Sequence, residues 1–362
     1  MSKRDKAAAA GKGGGTVFRI IILILCMLIV MTLAIVIYAQ GIGDNAADPN
    51  NKEEITFSVP EGSSTSAIGD LLEADGLIAS ADSFKLYSKF KHYDGTYQAG
   101  YYALSPSMTM HEIAEILSSG KTSNISFTIP EGYTEYDIAK VLSKQGLVNK
   151  KEFTKLLEDD SFRSEYSFLE DAQEGSHYLE GYLFPSSYQI PVNSSGEYII
   201  ETMLNAYDEI FTDEYRARAK ELGYTENEII TIASIIEKEA AADQDRDKIA
   251  SVIYNRLKID MPLQMDSTIQ YILGLEHKRK TDLLIDDTQI ESEYNTYTNP
   301  GLPPGPIACP GEAAIHAALY PADTDYLYFI LSDKLDDTMA FSEDYDQFLK
   351  DKDAYYEARG DE

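Results

Sequence analysis

Glu237 lies in the run IITIASIIEKEA, from Ile229 to Ala240, among Ile230, Ala233 and Ile236. A carboxyl in such company is costly unless it is paired, protonated or at work, so it is the first candidate for chemistry. At about 100° per residue of helix, Glu237 stacks on Ile230, Ala233 and Ser234, while Glu239 is turned roughly 200° away. The two therefore cannot flank one scissile bond as a glycosidase carboxylate pair does, and the helix supplies a single acid. Apolar neighbours disfavour a bare charge, which suits a carboxyl that must carry a proton to its substrate. Glu239 reads as structural, a partner for Arg246 or Arg256 at the helix end.

Three further stretches carry groups that could bind. The segment 178–188, YLEGYLFPSSY, is dense in aromatics and broken by Gly and Pro, and it offers Glu180 and Tyr182. Residues 263–268, LQMDST, offer Gln264, Asp266 and Thr268; residues 294–297, YNTY, offer Tyr294, Asn295, Thr296 and Tyr297 ahead of a Pro- and Gly-rich loop. Short amide and hydroxyl side chains beside tyrosines are what a sugar cleft uses, the rings covering apolar sugar faces. A rigid surface loop with satisfied polar groups has the same composition. Asp266 also suits a helix cap before Ser267. The five histidines are scattered, with no HExxH and no Cys/His spacing, so neither a metal nor another cofactor is expected.

The elements that must hold these groups are legible in outline. Thr225 followed by Glu228 is a capping box opening the glutamate helix. An amphipathic helix pair is expected over 197–222, another helix near 244–258 and a plain one over 313–319. Earlier, Ile55 to Gly62 returns as Ile125 to Gly132, and Gly76-Leu77 as Gly146-Leu147, an offset of 70. Each copy reads as strand, Pro-Glu-Gly turn and two helices, which resembles the LysM-type fold; glycan binding and a spacer role both suit it. Glu61 and Glu131, set in those turns, read as turn residues rather than catalysts.

Ile20 to Tyr38 is free of charge and long enough for one transmembrane helix. Lys3, Arg4, Lys6, Lys12 and Arg19 against Asp5 orient the N-terminus to the cytoplasm. An uncleaved anchor is preferred to a leader peptide, since no small-x-small site ends the run. The chain carries net charge −30, of which the first 40 residues contribute +4, leaving −34 for the rest; so acidic a body does not seek nucleic acid. Of two cysteines, Cys26 lies in the apolar run and Cys309 in the body, so no intrachain disulfide joins them. The expected class is α+β: cytoplasmic tail 1–19, transmembrane helix 20–38, linker 39–54, a LysM-like module 55–123, a stretch 124–177 that is either a second such module or part of the catalytic region, a mixed α+β catalytic domain 178–355 and a tail 356–362.

Taken in order, EGYLFP at 180–185, ASIIEKE at 233–239, LQMD at 263–266, and YNTY at 294–297 with GLPPG at 301–305 closely resemble the endolytic murein transglycosylases, the MltG or YceG-like family. The resemblance implies a membrane-anchored lyase, single-pass with its catalytic domain outside the cytoplasm. It would cut nascent peptidoglycan strands internally and so end their elongation. Glu237, the first glutamate of EKE, would be the catalytic acid, with contacts to wall-synthesis proteins also implied. One departure is Cys309, where the family carries a polar residue; a Cys309/His316 nucleophile is not expected. Two other readings remain: a non-catalytic wall-binding scaffold, and a hydrolase using a second carboxylate such as Glu180.

Overall fold

A computed structural model describes residues 12–121, 124–192, 194–275, 278–280 and 283–360. The chain divides into two compact units, Met1–Ile125 with Ile190–Asn193, and Ser126–Gln189 with Ser194–Glu362.

The smaller unit holds α1 (Lys12–Gly43), β1 (Ile55–Val59), α2 (Thr65–Ala74), α3 (Ala81–Phe90), β2 (Gly100–Leu104) and α4 (Met110–Ser119). Strand β1 runs antiparallel to β2, with Ile55 opposite Leu104 and Val59 opposite Gly100. Alternation along β1 turns Phe57 and Val59 inward, where they meet Ile68 and Leu72 of α2, Phe84 of α3 and Ile113 and Leu117 of α4. Side-chain caps from Ser64, Ser80 and Thr109 open the three helices.

The larger unit follows with β3 (Asn124–Thr128, begun in the smaller unit), α5 (Glu135–Lys144), α6 (Lys150–Leu157), α7 (Ser161–Glu165), β4 (Ser187–Pro191), α8 (Gly196–Ile210) and α9 (Asp213–Leu222). Then come α10 (Glu226–Glu239), α11 (Arg246–Lys258), α12 (Asp266–Leu275), α13 (Glu312–Leu319), β5 (Tyr328–Leu331), β6 (Met339–Ser342) and α14 (Tyr345–Arg359). Strands β3 and β4 pair, as do β5 and β6. Helix α10 starts from the Thr225–Glu228 capping box and is buried from Ile229 through Ile236, packed against α13 and α11. The helix pair appears as α8 and α9, and the aromatic stretch 178–186 forms turns ahead of β4.

Two expectations are corrected. Among the described residues no helix is long and apolar enough to cross a membrane. The side chains described in α1 from Phe18 to Thr32 are exposed. The rest of the expected span, 33–38, and most of the tail before it lie outside the described side chains. The order strand-helix-helix does recur at the 70-residue offset, but no repeated LysM-like modules result. The first copy closes on β2 and its own core, whereas the strand of the second pairs with β4 and its helices belong to the larger unit. Glu135, buried in the second copy, stands where the first has Thr65, so the two helix faces are not built to meet the same surroundings.

Gly181 shows how tightly 178–186 seats on α10. Its φ is +90°, and a Cβ there would lie 2.5 Å from Pro306 Cβ and 2.9 Å from Ile230 Cγ2. Gly181→Ala combines left-handed strain with overpacking and is expected to cost about 2–4 kcal/mol, read as a lowered urea midpoint.

Candidate active site

Helix α10 is buried from Ile229 through Ile236 and returns to polar surroundings in its last turn. There Glu237 does not face the aliphatic surface that the sequence implies. Its Oε2 accepts hydrogen bonds from Arg246 Nη1 at 3.1 Å and from the Gly311 amide at 3.1 Å. Arg246 opens α11 and Gly311 precedes α13, so three helix termini converge on one oxygen. The Glu237 side chain is 9% exposed and that of Arg246 11%, close enough to dryness for a charge-assisted bond to hold the carboxyl in one rotamer. Arg246 Nη2 also bonds Asp243 at 3.0 Å. No hydrogen bond among the described residues engages Glu237 Oε1.

The Pro-Glu-Gly turn of the second copy lies against this carboxyl. Gly132 N–H donates to Cys309 O at 2.9 Å and Cys309 N–H to Tyr133 O at 2.8 Å, joining the turn to the segment before Gly311. Lys238 Nζ donates to Gly132 O at 3.1 Å, and a Cβ on Gly132 would stand 3.6 Å from Glu237 Cγ. Glu131 crowds Gly311, where a Cβ would come within 2.1 Å of Glu131 Oε1. Glu131 remains exposed, and partial burial and the charge of Glu237 push its carboxyl above the usual range. Glu131, expected as a turn residue, is thus also a neighbour of Glu237. Of the two arginines expected beside Glu239, Arg246 goes to Glu237 and Arg256 acts on Glu239 only through its charge. Glu239 instead accepts from Ser267 N–H at 3.2 Å, capping α12 from a different helix, and burial raises its carboxyl.

The predicted binding residues separate into surface and scaffold. Gln264 and Asp266 are exposed, Gln264 in the left-handed region at φ +50°, and Tyr297 donates its hydroxyl to Asp266 Oδ1. Asp266 is thus the acceptor of a tyrosine at the start of α12 as well as its first residue. Thr296 is buried: its carbonyl takes Gln264 N–H at 3.0 Å, and its hydroxyl takes Met265 N–H at 3.0 Å and meets Thr268 Oγ1 at 2.9 Å. Asn295, also buried, donates to the Thr288 and Ile290 carbonyls and accepts Tyr297 N–H at 2.9 Å. These polar side chains pin 263–268 to 294–297 and so position Gln264 and Tyr297. Tyr294 stacks near Tyr271, with ring centroids 4.9 Å apart, and its hydroxyl meets Gln173. Tyr182 is wholly buried, its hydroxyl donating to Asn227 at 3.1 Å.

Glu180 keeps different company from Glu237. It is 1% exposed and accepts the Glu135 amide at 3.2 Å, and burial, then Glu135, raise it well above the carboxylate range. Glu135, itself buried, meets His177 Nδ1 at 3.3 Å. Cys309 is buried and burial pushes its thiol up, while His316 is exposed beside Tyr320; the two form no nucleophile pair. Among the described residues no cluster of His, Cys, Asp and Glu has the arrangement of a metal site.

Compared with known proteins, the chain matches the YceG-like family over residues 57–354. It is 36% identical over 326 residues to the endolytic murein transglycosylase of Bacillus subtilis (strain 168), covering 87% of this chain and 88% of that one. It is 38% identical over 306 residues to the endolytic murein transglycosylase of Streptococcus pneumoniae serotype 2 (strain D39 / NCTC 7466), 78% of this chain but 55% of that longer protein. The crystal structure of a yceG-like protein from Listeria monocytogenes superposes with a TM-score of 0.57 at 37% identity, covering 83% of this chain and 99% of that one.

The buried acids give a pH signature. Glu180 has a folded pKa above its unfolded one, so its contribution to stability is full below the usual carboxylate range and is lost as pH rises through the folded value. His177, raised chiefly by its bond to Glu135, acts in the same direction above its own ordinary value. Glu180→Gln, which cannot ionise, is expected to lose less melting temperature between pH 5 and pH 8 than the parent. Parallel thermal melts at about five pH values check this, and equal slopes would contradict it.

Proposed function

The chain belongs to the YceG-like family, and from that membership we propose that it is a lytic transglycosylase that cuts peptidoglycan glycan strands internally, with Glu237 as the acid. The observation that carries the reading is the one-sided grip on Glu237: Arg246 and the Gly311 amide both donate to Oε2. With both donors on Oε2, Oε1 is the oxygen left open to exchange a proton with the substrate.

The reaction then proceeds with one protein carboxyl. Glu237 protonates the oxygen between N-acetylmuramic acid and N-acetylglucosamine, and the bond from that oxygen to the muramic anomeric carbon breaks. Positive charge develops on the anomeric carbon and ring oxygen. The same sugar's 6-hydroxyl attacks that carbon while Glu237, now a carboxylate, takes the hydroxyl proton, and a 1,6-anhydro ring closes. No water enters, and the carboxyl ends as it began. Arg246 and Gly311 hold its plane through both halves of the cycle, which preserves the geometry that proton transfer needs. Gln264, Asp266 and Tyr297 provide exposed polar groups and a ring for sugar contacts, while Thr268, Asn295 and Thr296 support them from beneath. The substrate also sets the compartment: peptidoglycan lies outside the cytoplasm, and the enzyme works there. A cut within a growing strand removes its attached end and so terminates its elongation.

Glu131 favours a second reading. An exposed carboxyl beside Glu237 is where a hydrolase would keep the base for its water. The product separates the two mechanisms. Mass spectrometry of purified peptidoglycan digested by the full chain is expected to show 1,6-anhydro ends, still formed by Glu131→Gln. Ordinary reducing ends, lost with Glu131→Gln, would replace the lyase by the hydrolase. Glu237→Gln is expected to lower turnover by about 10²-fold or more with an unchanged circular dichroism spectrum, and normal turnover in that variant would remove Glu237 from the chemistry.

A further inference from the structure

A second recess in the larger unit has a lining that does not include Glu237. It offers about 80 Å³, room for several water-sized groups. Its apolar walls include Ala139 of α5, Leu157 of α6 and Leu275 of α12, and its lining holds the two buried acids Glu135 and Glu180. Glu135 is 4% exposed, and its Oε1 is buried with no hydrogen-bond partner among the described residues. Leaving a carboxyl oxygen dry and unanswered is expensive, and a native fold normally answers such an atom with a donor.

The surrounding charges show which donor is missing. His177 answers Glu135 Oε2, and the Leu179 backbone also favours the charged carboxyl, yet Oε1 itself has no partner among the described residues. Arg279, the cation on the lining, is committed to Asp137 at 2.9 Å and to Thr134 at 3.2 Å. Glu158 on the same lining adds negative charge. Two buried acids, one further acid and aliphatic walls call for a compact cation with several N–H donors on a methylene stem. With Oε2 taken by His177, a single oxygen is left, which suits a primary ammonium, a point charge with three donors, better than a guanidinium that pairs carboxylates through two oxygens. Burial raises both Glu135 and Glu180, and a cation beside them favours their charged forms.

We propose that this recess binds an aliphatic ammonium, the side-chain chemistry of a diamino acid, with the –NH₃⁺ donating to Glu135 Oε1 and the methylenes lying on Ala139, Leu157 and Leu275. The binding stands on the recess alone. Its source, a diamino acid in the peptide stem of the wall polymer, rests on the function proposed above. The enzyme would then grip its substrate by a peptide as well as by sugars.

Calorimetry on the full chain tests the chemistry with four probes: n-butylammonium, butan-1-ol, Nα-acetyl-lysine amide and its Nε-acetylated counterpart. The two amines are expected to bind and the two neutral probes not to. Binding of alcohol and amine alike, or of no probe, overturns the proposal without reliance on any variant. Binding of butylammonium but not of the lysine derivative overturns the peptide source. Glu135→Gln is expected to weaken amine binding at least about tenfold, the loss of one charge-assisted hydrogen bond, and unchanged affinity counts against the assigned contact. Glycan cleavage by the same preparation is scored separately. Anhydro fragments without amine binding sink only the recess, and amine binding without fragments sinks only the activity.

Discussion

Helix α10 is buried on all sides as far as Ile236, and the arrangement of the larger unit follows from that constraint. A helix without a solvent face must be enclosed, and α11, α13 and the 178–186 turns do the enclosing. Past Ile236 the side chains leave the apolar packing, so a carboxyl in the C-terminal turn has a rigid base and a polar front. Ser234 hydrogen-bonds the Ile307 amide at 3.0 Å, which ties the loop leading to Gly311 to the same helix. Because the acid and its amide donor hang from one rigid element, their spacing is set by core packing.

What the sequence shows well is what depends on near neighbours. The capping box at Thr225, the helix pair α8 and α9, and the opposed directions of Glu237 and Glu239 all follow from spacing along the chain. Partners separated by long stretches of chain carry no such signal. Glu131, 106 residues before Glu237 in number, meets it through a backbone junction at 132, 133 and 309 that depends on no particular side chain. The polar residues of 294–297 had the right composition for a sugar cleft, yet burial gives Asn295 and Thr296 the task of holding the loops together. Composition cannot tell an amide that meets substrate from one that meets a carbonyl. A resemblance of order in the repeat likewise did not carry over into equivalent modules, since pairing partners for β1 and β3 come from different stretches of the chain.

The two copies of the Pro-Glu-Gly turn show how one local conformation serves different ends. Gly62 has φ +74° and Gly132 φ +72°, so both turns need glycine for the same reason. Around Gly62 a Cβ would meet nothing within 4 Å, whereas Gly132 faces Lys238 and Glu237. The conformation is shared and the surroundings are not. An acidic residue beside each glycine is thus a bystander in one copy and a neighbour of Glu237 in the other.

The junction between Gly132, Tyr133 and Cys309 decides which substitutions position 309 can bear. Both of its hydrogen bonds run between main-chain atoms, so any residue except proline at 309 can make them. The position is wholly enclosed, which restricts its side chain in volume rather than in chemistry. A thiol can therefore sit there with both backbone contacts intact. The side chain at 309 is free to change beside Glu237 because the backbone carries the contact.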